Sequence, residues 1–269
     1  MSSATDADLH LFEARVAHNA PEGTARRLTL AVDEPIDPNP GQFLQVGRSG
    51  SETYLKRPLS ISDWDAARGL LELLILPVGR GTRHIASARP GEMLTLLGPL
   101  GRGFPSPDEL GAAPLLVGGG IGSAPLVFLA RRLAASGNPP TTFIGASDGQ
   151  RLAGEKSLAG CSRRLVLATE DGSRGEIGMV TSVIWEHLDG LEGITSIAAC
   201  GPAGLLEAVK ILSDRLGVPA FGSFEERMAC GVGACLGCAI PMAKPGDGKK
   251  YLRVCADGPV FALEEVAIS

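Results

Sequence analysis

The sequence predicts three successive units: a small β-barrel, an α/β unit built on a parallel sheet, and a short C-terminal module rich in cysteine and glycine. The first part of the chain consists of short apolar or alternating segments separated by turn residues. Beyond Gly111, short strands alternate with segments of helical spacing, which is typical of a parallel sheet with helical crossovers. The last part holds four of the six cysteines. We therefore place the units at residues 1–108, 109–221 and 222–269.

The barrel prediction depends on five segments bounded by Pro, Gly, Asn and Asp. These segments are residues 9–16, 25–32, 42–46, 70–76 and 93–97. Many short strands at this spacing indicate a small barrel. No helix is predicted in this part of the chain, because none of it has a convincing helical period.

The α/β prediction depends on four strands and two helices. The strands are residues 114–117, 141–145, 164–169 and 197–200, and the helices are residues 124–136 and 204–216. In the first helix the apolar residues recur at helical spacing, and Gly137 is a natural stop. Strands that alternate with helices in this way predict βαβ crossovers.

Charge and hydropathy exclude some classes of partner. The net charge is −5, which gives no electrostatic reason to expect nucleic acid or an anionic membrane surface. No apolar run is long enough to cross a bilayer, and the N-terminus lacks the pattern of a secretory signal. We expect a cytoplasmic protein that binds neither nucleic acid nor membrane.

The cysteines of the last unit have a distinctive spacing. Cys230, Cys235 and Cys238 form C-x4-C-x2-C, and sixteen residues separate Cys238 from Cys255. This is the start of the plant-type pattern for a [2Fe–2S] cluster, and the glycines between the cysteines let the backbone wrap closely around such a cluster. Structural zinc is the alternative, although zinc ligands usually come as two short pairs and only Cys235 and Cys238 form one. Disulfides are not expected in a chain that stays inside the cell.

Glycine turns follow several strands of the predicted α/β unit. Residues 118–125 join a strand to a helix, where free N–H groups and the positive end of the helix dipole can bind a dinucleotide phosphate. The loop is a variant, because it does not match G-x-G-x-x-G. Residues 169–173 and 200–202 are expected at the same sheet edge. The alternative is that these turns merely connect strands to helices. The candidate residues are Gly118, Gly120, Gly122, Cys200, Gly201 and Pro202.

Two barrel segments could bind a flavin nucleotide. Arg57 can donate two parallel hydrogen bonds to the oxygens of a diphosphate. Pro58 stiffens the chain, and Ser60 could hydrogen-bond to the edge of a flavin ring. Further on, residues 79–82 offer backbone N–H groups and a hydroxyl for phosphate oxygens. For that segment the alternative is a plain turn.

Taken in order, these motifs resemble those of the electron-transfer subunits of two-subunit, NAD-dependent dihydroorotate dehydrogenases, within the ferredoxin–NADP reductase-like group. The resemblance covers nearly the whole chain, and its most specific parts are residues 225–235 and 257–261. Its other parts are residues 57–60, 81–82, 98–104, 118–122, 169–173 and 200–202. Glu170 stands where an aspartate is expected, which keeps the charge.

The resemblance implies a set of cofactors and a partner. FAD would be held by Arg57, Pro58, Leu59, Ser60, Leu74, Ile75, Leu76, Gly81 and Thr82. The four cysteines would hold [2Fe–2S]. A hydride from NADH would enter at FAD, and single electrons would pass through the cluster to an FMN-bearing catalytic subunit in a heterotetramer that serves pyrimidine biosynthesis. The chain would be an oxidoreductase subunit that does not oxidise dihydroorotate alone, because it has no room for a catalytic barrel of about 250 residues.

Two questions stay open at this point. NADH is expected rather than NADPH, because Asp148 follows the second strand of the α/β unit and could accept a hydrogen bond from the ribose 2′-hydroxyl. Asp-Gly also favours turns, so Asp148 could be a turn residue only. For the whole chain, one alternative is a related NAD(P)H reductase subunit that serves a hydrogenase or a glutamate synthase-like partner. Another is a metal-stabilised interaction module without a redox role, which predicts a colourless protein.

Overall fold

The computed structural model describes residues 9–50, 53–246 and 248–268. These residues form a closed six-stranded barrel, a seven-stranded sheet and a two-stranded hairpin. The predicted fold class, with a barrel, a parallel α/β sheet and a small C-terminal module, is confirmed.

The barrel is antiparallel throughout. Its strands are β1 (Leu11–Glu22), β2 (Ala25–Ala31), β3 (Phe43–Gly47), β4 (Arg57–Asp65), β5 (Leu70–Ile75) and β6 (Met93–Leu100), in the spatial order β1-β2-β5-β4-β3-β6. Side chains alternate between the interior and the outside, so Phe12, Ala14 and Val16 of β1 are buried while their neighbours are exposed. Leucine, isoleucine and valine fill the interior, with Leu28 and Leu44 completely buried.

Five barrel strands were predicted, and β4 is an additional one. The prediction that this half has no helix was wrong, because α1 spans Arg80–Ala86. This helix is too short to show a period. It is stabilised by Thr82, whose hydroxyl oxygen accepts the Gly79 N–H at 3.0 Å, and by burial of Ile85 against the barrel core. The segment that begins at Gly79 is therefore a helix start and not a plain turn.

The α/β unit has helices on both faces of its sheet. The strands are β7 (Pro114–Gly119), β8 (Thr141–Ala146), β9 (Arg164–Thr169), β10 (Glu176–Ile177), β11 (Ser196–Cys200) and β12 (Ala220–Ser223), all parallel. The helices are α2 (Pro107–Leu110), α3 (Ala124–Ala135), α4 (Glu155–Ala159), α5 (Val180–Glu186) and α6 (Ala203–Leu216). Leu115 faces one core and Leu116 the other, which explains why these strands are continuously apolar. None of the helices in the described ranges is long and apolar enough to cross a membrane.

The C-terminal module packs against both of the other units, which also contact each other directly through α3 and β4. Its strands are β13 (Ala239–Gly246), β14 (Lys249–Arg253) and β15 (Val260–Ala262). β15 pairs antiparallel with β12 as the edge strand of the large sheet. Phe43 of the barrel packs in the same core as Cys238 and Cys255. The predicted boundary at residue 222 falls inside β12, so the second and third units share this strand pair.

Candidate cofactor-binding sites

The beginning of β4 separates two cavities. One, which we call the basic cavity, has about 350 Å³ and is lined by Arg48, Lys56, Arg57 and Gly81 among others. The other, the apolar cavity, has about 380 Å³ and is lined mainly by aliphatic and aromatic side chains. Arg57 therefore lines the basic cavity, and the next three residues, Pro58, Leu59 and Ser60, line the apolar cavity. The pair of cavities suits a ligand with an anionic part and a flat apolar part.

In the basic cavity, Arg57 lies directly against the start of α1. A β-carbon on residue 81 would be 2.5 Å from Arg57 Nε, so Gly81 leaves the space that the guanidinium fills. Arg57 Nη1 donates to the Leu55 carbonyl at 2.8 Å, which orients the group. Thr82 was predicted to face the same ligand, but its hydroxyl exchanges hydrogen bonds with the Gly79 backbone and caps the helix.

The apolar cavity brings the three units together. Leu74 and Leu76, two of the residues predicted to hold FAD, line it, but the side chain of Ile75 points into the barrel core and is fully buried there. This correction follows from the alternation of side chains along β5. Cys200 reaches the cavity from the end of β11, and Glu225 reaches it from the C-terminal module.

Cys200 and Glu225 face this cavity in an apolar environment. Burial raises the pKa of the Glu225 carboxyl. Burial also raises the pKa of the Cys200 thiol to about 12, and the nearby Glu225 adds to the effect. Glu225 had been part of the family motif only and was not a predicted site residue. Nothing in the local sequence marks it as one.

The third cavity, the sheet-edge cavity, has about 600 Å³ and lies at the carboxyl ends of the parallel strands. Gly119 and Gly120 line it from the end of β7, Pro202 from the start of α6, and Glu170 from the turn after β9. The three glycine turns therefore meet at one edge. Ile121 and Leu76 line both this cavity and the apolar one, so the two cavities adjoin.

The predicted glycines have two different roles here. Gly120 has φ of 56° and no atom within 4 Å of its β-position, so it leaves the cavity open. Gly122 lies against β11, and a β-carbon on it would be 2.7 Å from the Cys200 carbonyl oxygen. Gly118 packs in the same manner against Ser123, and Gly201 against Gly119. These last glycines allow the loop to pack against its neighbours and do not line the cavity.

Asp148 does not line the sheet-edge cavity. Its carboxylate accepts the Gln150 N–H at 2.9 Å and pairs with Arg151 Nε at 3.2 Å, and it faces a separate hollow with Asp171. Arg151 does line the sheet-edge cavity. The contacts of Asp148 are those of a turn residue. Its carboxylate forms an ion pair with Arg151, which is the only arginine among the described residues that line this cavity.

The four predicted cysteine ligands approach one another in pairs. The Cys235 N–H lies 3.5 Å from Cys230 Sγ, and the Cys255 N–H lies 3.4 Å from Cys238 Sγ. Cys238 and Cys255 are buried, whereas Cys235 is exposed. Among the described residues no three Cys, His, Asp or Glu side chains are grouped as they would be around a single metal ion.

The backbone around these thiols favours their charged form. Burial alone would raise the pKa of Cys230, but N–H groups of Val232 and Cys235 outweigh it and the pKa is lowered. Burial and the neighbouring Cys238 raise the pKa of Cys255. A metal cation bound between neighbouring thiols deprotonates them and offsets the cost of placing their charges close together. The donor set fits a metal centre that takes four thiolates.

Comparison with known proteins identifies the family. A family model described as the iron–sulfur cluster binding domain of dihydroorotate dehydrogenase B matches residues 225–267. The chain is 38% identical over 229 residues to the dihydroorotate dehydrogenase B (NAD(+)) electron transfer subunit of Caldanaerobacter subterraneus subsp. tengcongensis, covering 85% of this chain and 87% of that one. The chain belongs to this family of electron transfer subunits. The corresponding subunit of Desulforamulus reducens is also 38% identical, with 84% and 86% covered.

Solved structures share the fold of this electron transfer subunit. A chain of the NADH-dependent reduced ferredoxin-NADP oxidoreductase superposes with a TM-score of 0.80 at 25% identity, over 95% of this chain and 90% of that one. A ferredoxin NADP+ reductase from Neisseria gonorrhoeae with bound FAD and NADP shares the fold, with a TM-score of 0.60 at 15% identity over 77% and 92% of the two chains. The predicted resemblance is confirmed, and the chain is an oxidoreductase subunit that transfers electrons.

In this electron transfer subunit an arginine joins the two loops of the iron–sulfur domain. Arg253 Nε donates to Asp257 at 3.0 Å, and Arg253 Nη1 donates to the Gly233 carbonyl at 3.2 Å. Gly233 lies in the loop of the first three cysteines, and Asp257 lies just after Cys255. The arginine thus fixes the distance between the two parts of the thiol set.

Proposed function

We propose that this chain passes electrons between NADH and a catalytic dihydroorotate dehydrogenase subunit, through FAD and a [2Fe–2S] cluster, in pyrimidine biosynthesis. The observation that carries the proposal is that the three sites are contiguous. The sheet-edge and apolar cavities share Leu76 and Ile121. Phe43 lines the apolar cavity and also packs in the core of Cys238 and Cys255. The three functional units proposed for this relay are residues 1–108, 109–221 and 222–269.

FAD is proposed for the basic and apolar cavities. Arg57 and the start of α1 would hold its diphosphate, and Leu74 and Leu76 would contact its ring, with Ser60 at the ring edge. When bound, FAD supplies the conversion between the electron pair of a hydride and the single electrons that an iron–sulfur cluster carries. Acid release of the bound flavin tests this assignment, and release of FMN or of no flavin would contradict it.

The cluster is proposed to be [2Fe–2S], held by Cys230, Cys235, Cys238 and Cys255. Pairing of the thiols supports two iron positions, because each iron of such a cluster takes two cysteines. Structural zinc would instead require all four thiols around one ion. The backbone N–H groups directed at Cys230 and Cys255 are donors that cluster ligands commonly receive.

The nicotinamide donor is proposed to be NADH, bound in the sheet-edge cavity at Gly120 and Pro202. Asp148 supports NADH indirectly, because it pairs with Arg151 and so keeps that cation from a 2′-phosphate. Glu170 adds negative charge to the same cavity. Both features act against a nucleotide with an additional phosphate.

The proposed acceptor is an FMN-bearing catalytic dihydroorotate dehydrogenase subunit in a cytoplasmic heterotetramer. The relatives are named as electron transfer subunits of that enzyme, which supports this partner over a hydrogenase or a glutamate synthase-like protein. Cys235 and Leu236 are exposed, so one side of the proposed cluster lies at the surface. A partner that accepts electrons could approach there.

The deciding experiment is analysis of iron and acid-labile sulfide in the anaerobically purified chain. We expect the wild-type chain to contain both iron and labile sulfide, and Cys235→Ser or Cys255→Ser to lose them. Cys161→Ser, which changes a cysteine outside the proposed ligand set, should retain both. Zinc without labile sulfide would contradict the cluster assignment. Copurification with a catalytic subunit, and dihydroorotate-dependent reduction of NAD+ by the complex only, would test the partner.

A further inference from the structure

One side chain of the barrel is buried without a partner. Gln45 lies in the middle of β3 and is 1% exposed. Neither its amide nitrogen nor its amide oxygen has a hydrogen-bond partner among the described residues. Leaving a buried amide unpaired is costly, so such a group commonly serves a ligand, ion or ordered water.

The amide of Gln45 lies against the cysteine loop. A β-carbon on residue 231 would be 2.6 Å from Gln45 Nε2 and 3.1 Å from Cδ. Gly231 follows Cys230 directly and has φ of 74°, so both the close approach and the backbone conformation require glycine there. Gln45 Cγ would be 2.7 Å from the same β-carbon, so the whole side chain lies along this turn, and Nε2, the amide atom that can donate, is the polar amide atom among the three nearest contacts.

The rest of β3 shows which cofactor site the amide faces. Phe43, two residues earlier on the same side of the strand, packs with Cys238 and Cys255. The residues that line the apolar cavity include Phe43 but not Gln45. The amide therefore lies against the turn that follows Cys230 and outside the lining of the apolar cavity.

We propose that Gln45 Nε2 donates a hydrogen bond to a sulfur of the iron–sulfur cluster and thereby raises the reduction potential of that cluster. This inference rests on the proposed [2Fe–2S] assignment. A cluster becomes more negative on reduction, so an N–H donor stabilises the reduced form more than the oxidised form. The other donors in the loop, such as Gly233 N–H to Cys255 at 3.1 Å, belong to the iron–sulfur domain itself. Gln45 is a donor from the flavin-binding barrel, so the two cofactor sites would be coupled through β3.

Gln45→Met keeps the length of the side chain and removes the donor. In the full chain, after iron and labile sulfide have been measured, we expect the cluster of this variant to be about tenfold harder to reduce, which is about 59 mV for one electron. Gln42→Met is the matched control, because it makes the same change three residues away, where Gln42 Nε2 donates to the Gly101 carbonyl at 2.8 Å. An unchanged potential in Gln45→Met with full cluster content would overturn the inference.

Selective labelling provides a second test that needs no variant. The chain contains three glutamines, at positions 42, 45 and 150. With side-chain 15N-glutamine, pulsed EPR of the reduced wild-type cluster should show a 15N coupling that Gln42→Met retains. Absence of coupling in wild type would overturn the inference even if Gln45→Met fails to assemble a cluster. Absence of iron and labile sulfide in wild type would instead reject the proposed function.

Discussion

The guanidinium of Arg57 occupies the space where a side chain on residue 81 would begin. Its Nε would lie 2.5 Å from a β-carbon at that position, well inside van der Waals contact. Gly81 is therefore required by its neighbour and not by its own backbone, since its φ is not in the left-handed region. The arginine and the helix start therefore lie side by side, as the proposed site for the FAD diphosphate requires.

Replacement of Gly81 by alanine should weaken flavin retention. The methyl group would displace Arg57, and a charge-assisted bond to phosphate is worth about 1.5–3 kcal/mol, so we expect a 10- to 150-fold higher dissociation constant for FAD. Gly79→Ala is the control, because its β-carbon would meet only Thr82 Oγ1 at 3.9 Å. Fluorescence titration of the apoprotein with FAD measures both, and equal affinities in the two variants would contradict the role of Gly81.

Asp148→Ala should reduce the preference for NADH. Without its carboxylate partner, Arg151 becomes free to bind a 2′-phosphate at the sheet-edge cavity. We expect flavin reduction by NADPH to become faster, while reduction by NADH changes little. Stopped-flow measurement with each nucleotide gives the ratio of the two rates of flavin reduction. The double variant Asp148→Ala, Arg151→Ala should lose the faster reduction by NADPH. A loss of NADH activity alone would instead indicate that Asp148 contacts the ribose directly.

Arg131→Leu should destabilise the protein in a pH-dependent way. Arg131 of α3 pairs with Asp63 of β4, whose side chain is 8% exposed. Burial already raises the pKa of Asp63, Arg131 opposes that rise, and Glu72 and Asp65 add to it. Loss of Arg131 raises the folded pKa further. The folded state then holds a proton that the unfolded state releases, so stability falls as pH rises above the ordinary value near 3.8.

Urea unfolding of this variant at pH 5 and pH 8 provides the measurement. We expect the free energy of unfolding to fall by about 1–2 kcal/mol at pH 8 and by less at pH 5. The expected loss is no larger because Arg131 is half-exposed and water screens its charge. Asp63→Asn combined with Arg131→Leu should remove the difference between the two pH values. Arg132→Leu, one residue along the same helix, is the control. An equal loss at both pH values would indicate that packing and not charge explains the effect.

Gly122→Ala and Gly120→Ala should act by different mechanisms, the first through a clash with β11 and the second through backbone strain. The Gly122 β-carbon would meet the Cys200 carbonyl oxygen at 2.7 Å, so the loop must separate from β11, and we expect both a lower melting temperature and weaker NADH binding. At Gly120 the β-carbon meets open space, and its φ of 56° costs a non-glycine residue about 1–2 kcal/mol. Gly160→Ala, where the nearest atom would be at 3.5 Å, is the control. Calorimetry of NADH binding and thermal unfolding of the three variants distinguish these effects. A Gly122→Ala variant with unchanged melting temperature and NADH affinity would contradict the packing of Gly122 against β11.

Four strands and the two long helices of the α/β unit, α3 and α6, were predictable from apolar runs and helical spacing, whereas the shorter β10, β12, α2, α4 and α5 were not predicted. The elements that were missed lack such a signal. β4 begins with Arg57-Pro58 and mixes buried and half-buried positions, so it shows no clean alternation. Helix α1 has seven residues and includes Gly81, and β15 has three residues.

Residue spacing alone was enough to predict that the four cysteines lie near one another and that the glycine turns meet at one sheet edge, while the ligands of both groups stay predictions. Residues that act through tertiary position were not predictable. Gln45 is one polar residue within an apolar strand, and only the fold brings it against Gly231. Glu225 reaches the apolar cavity because its module packs against both of the other units. Ile75 was misassigned because the motif specifies a strand but not which side chains face the ligand.

The edge position of β15 makes the iron–sulfur domain a structural part of the seven-stranded sheet. Val260 and Leu263 belong to the two apolar cores on opposite faces of that sheet, and Phe261 packs on the barrel side with Phe43. A chain ending before residue 222 would lack part of β12 and expose an unpaired sheet edge beside uncovered apolar surface, which promotes aggregation. Deletion of the last segment should therefore destabilise the sheet itself, whereas a cysteine variant that loses only the proposed cluster should keep the β12–β15 strand pair.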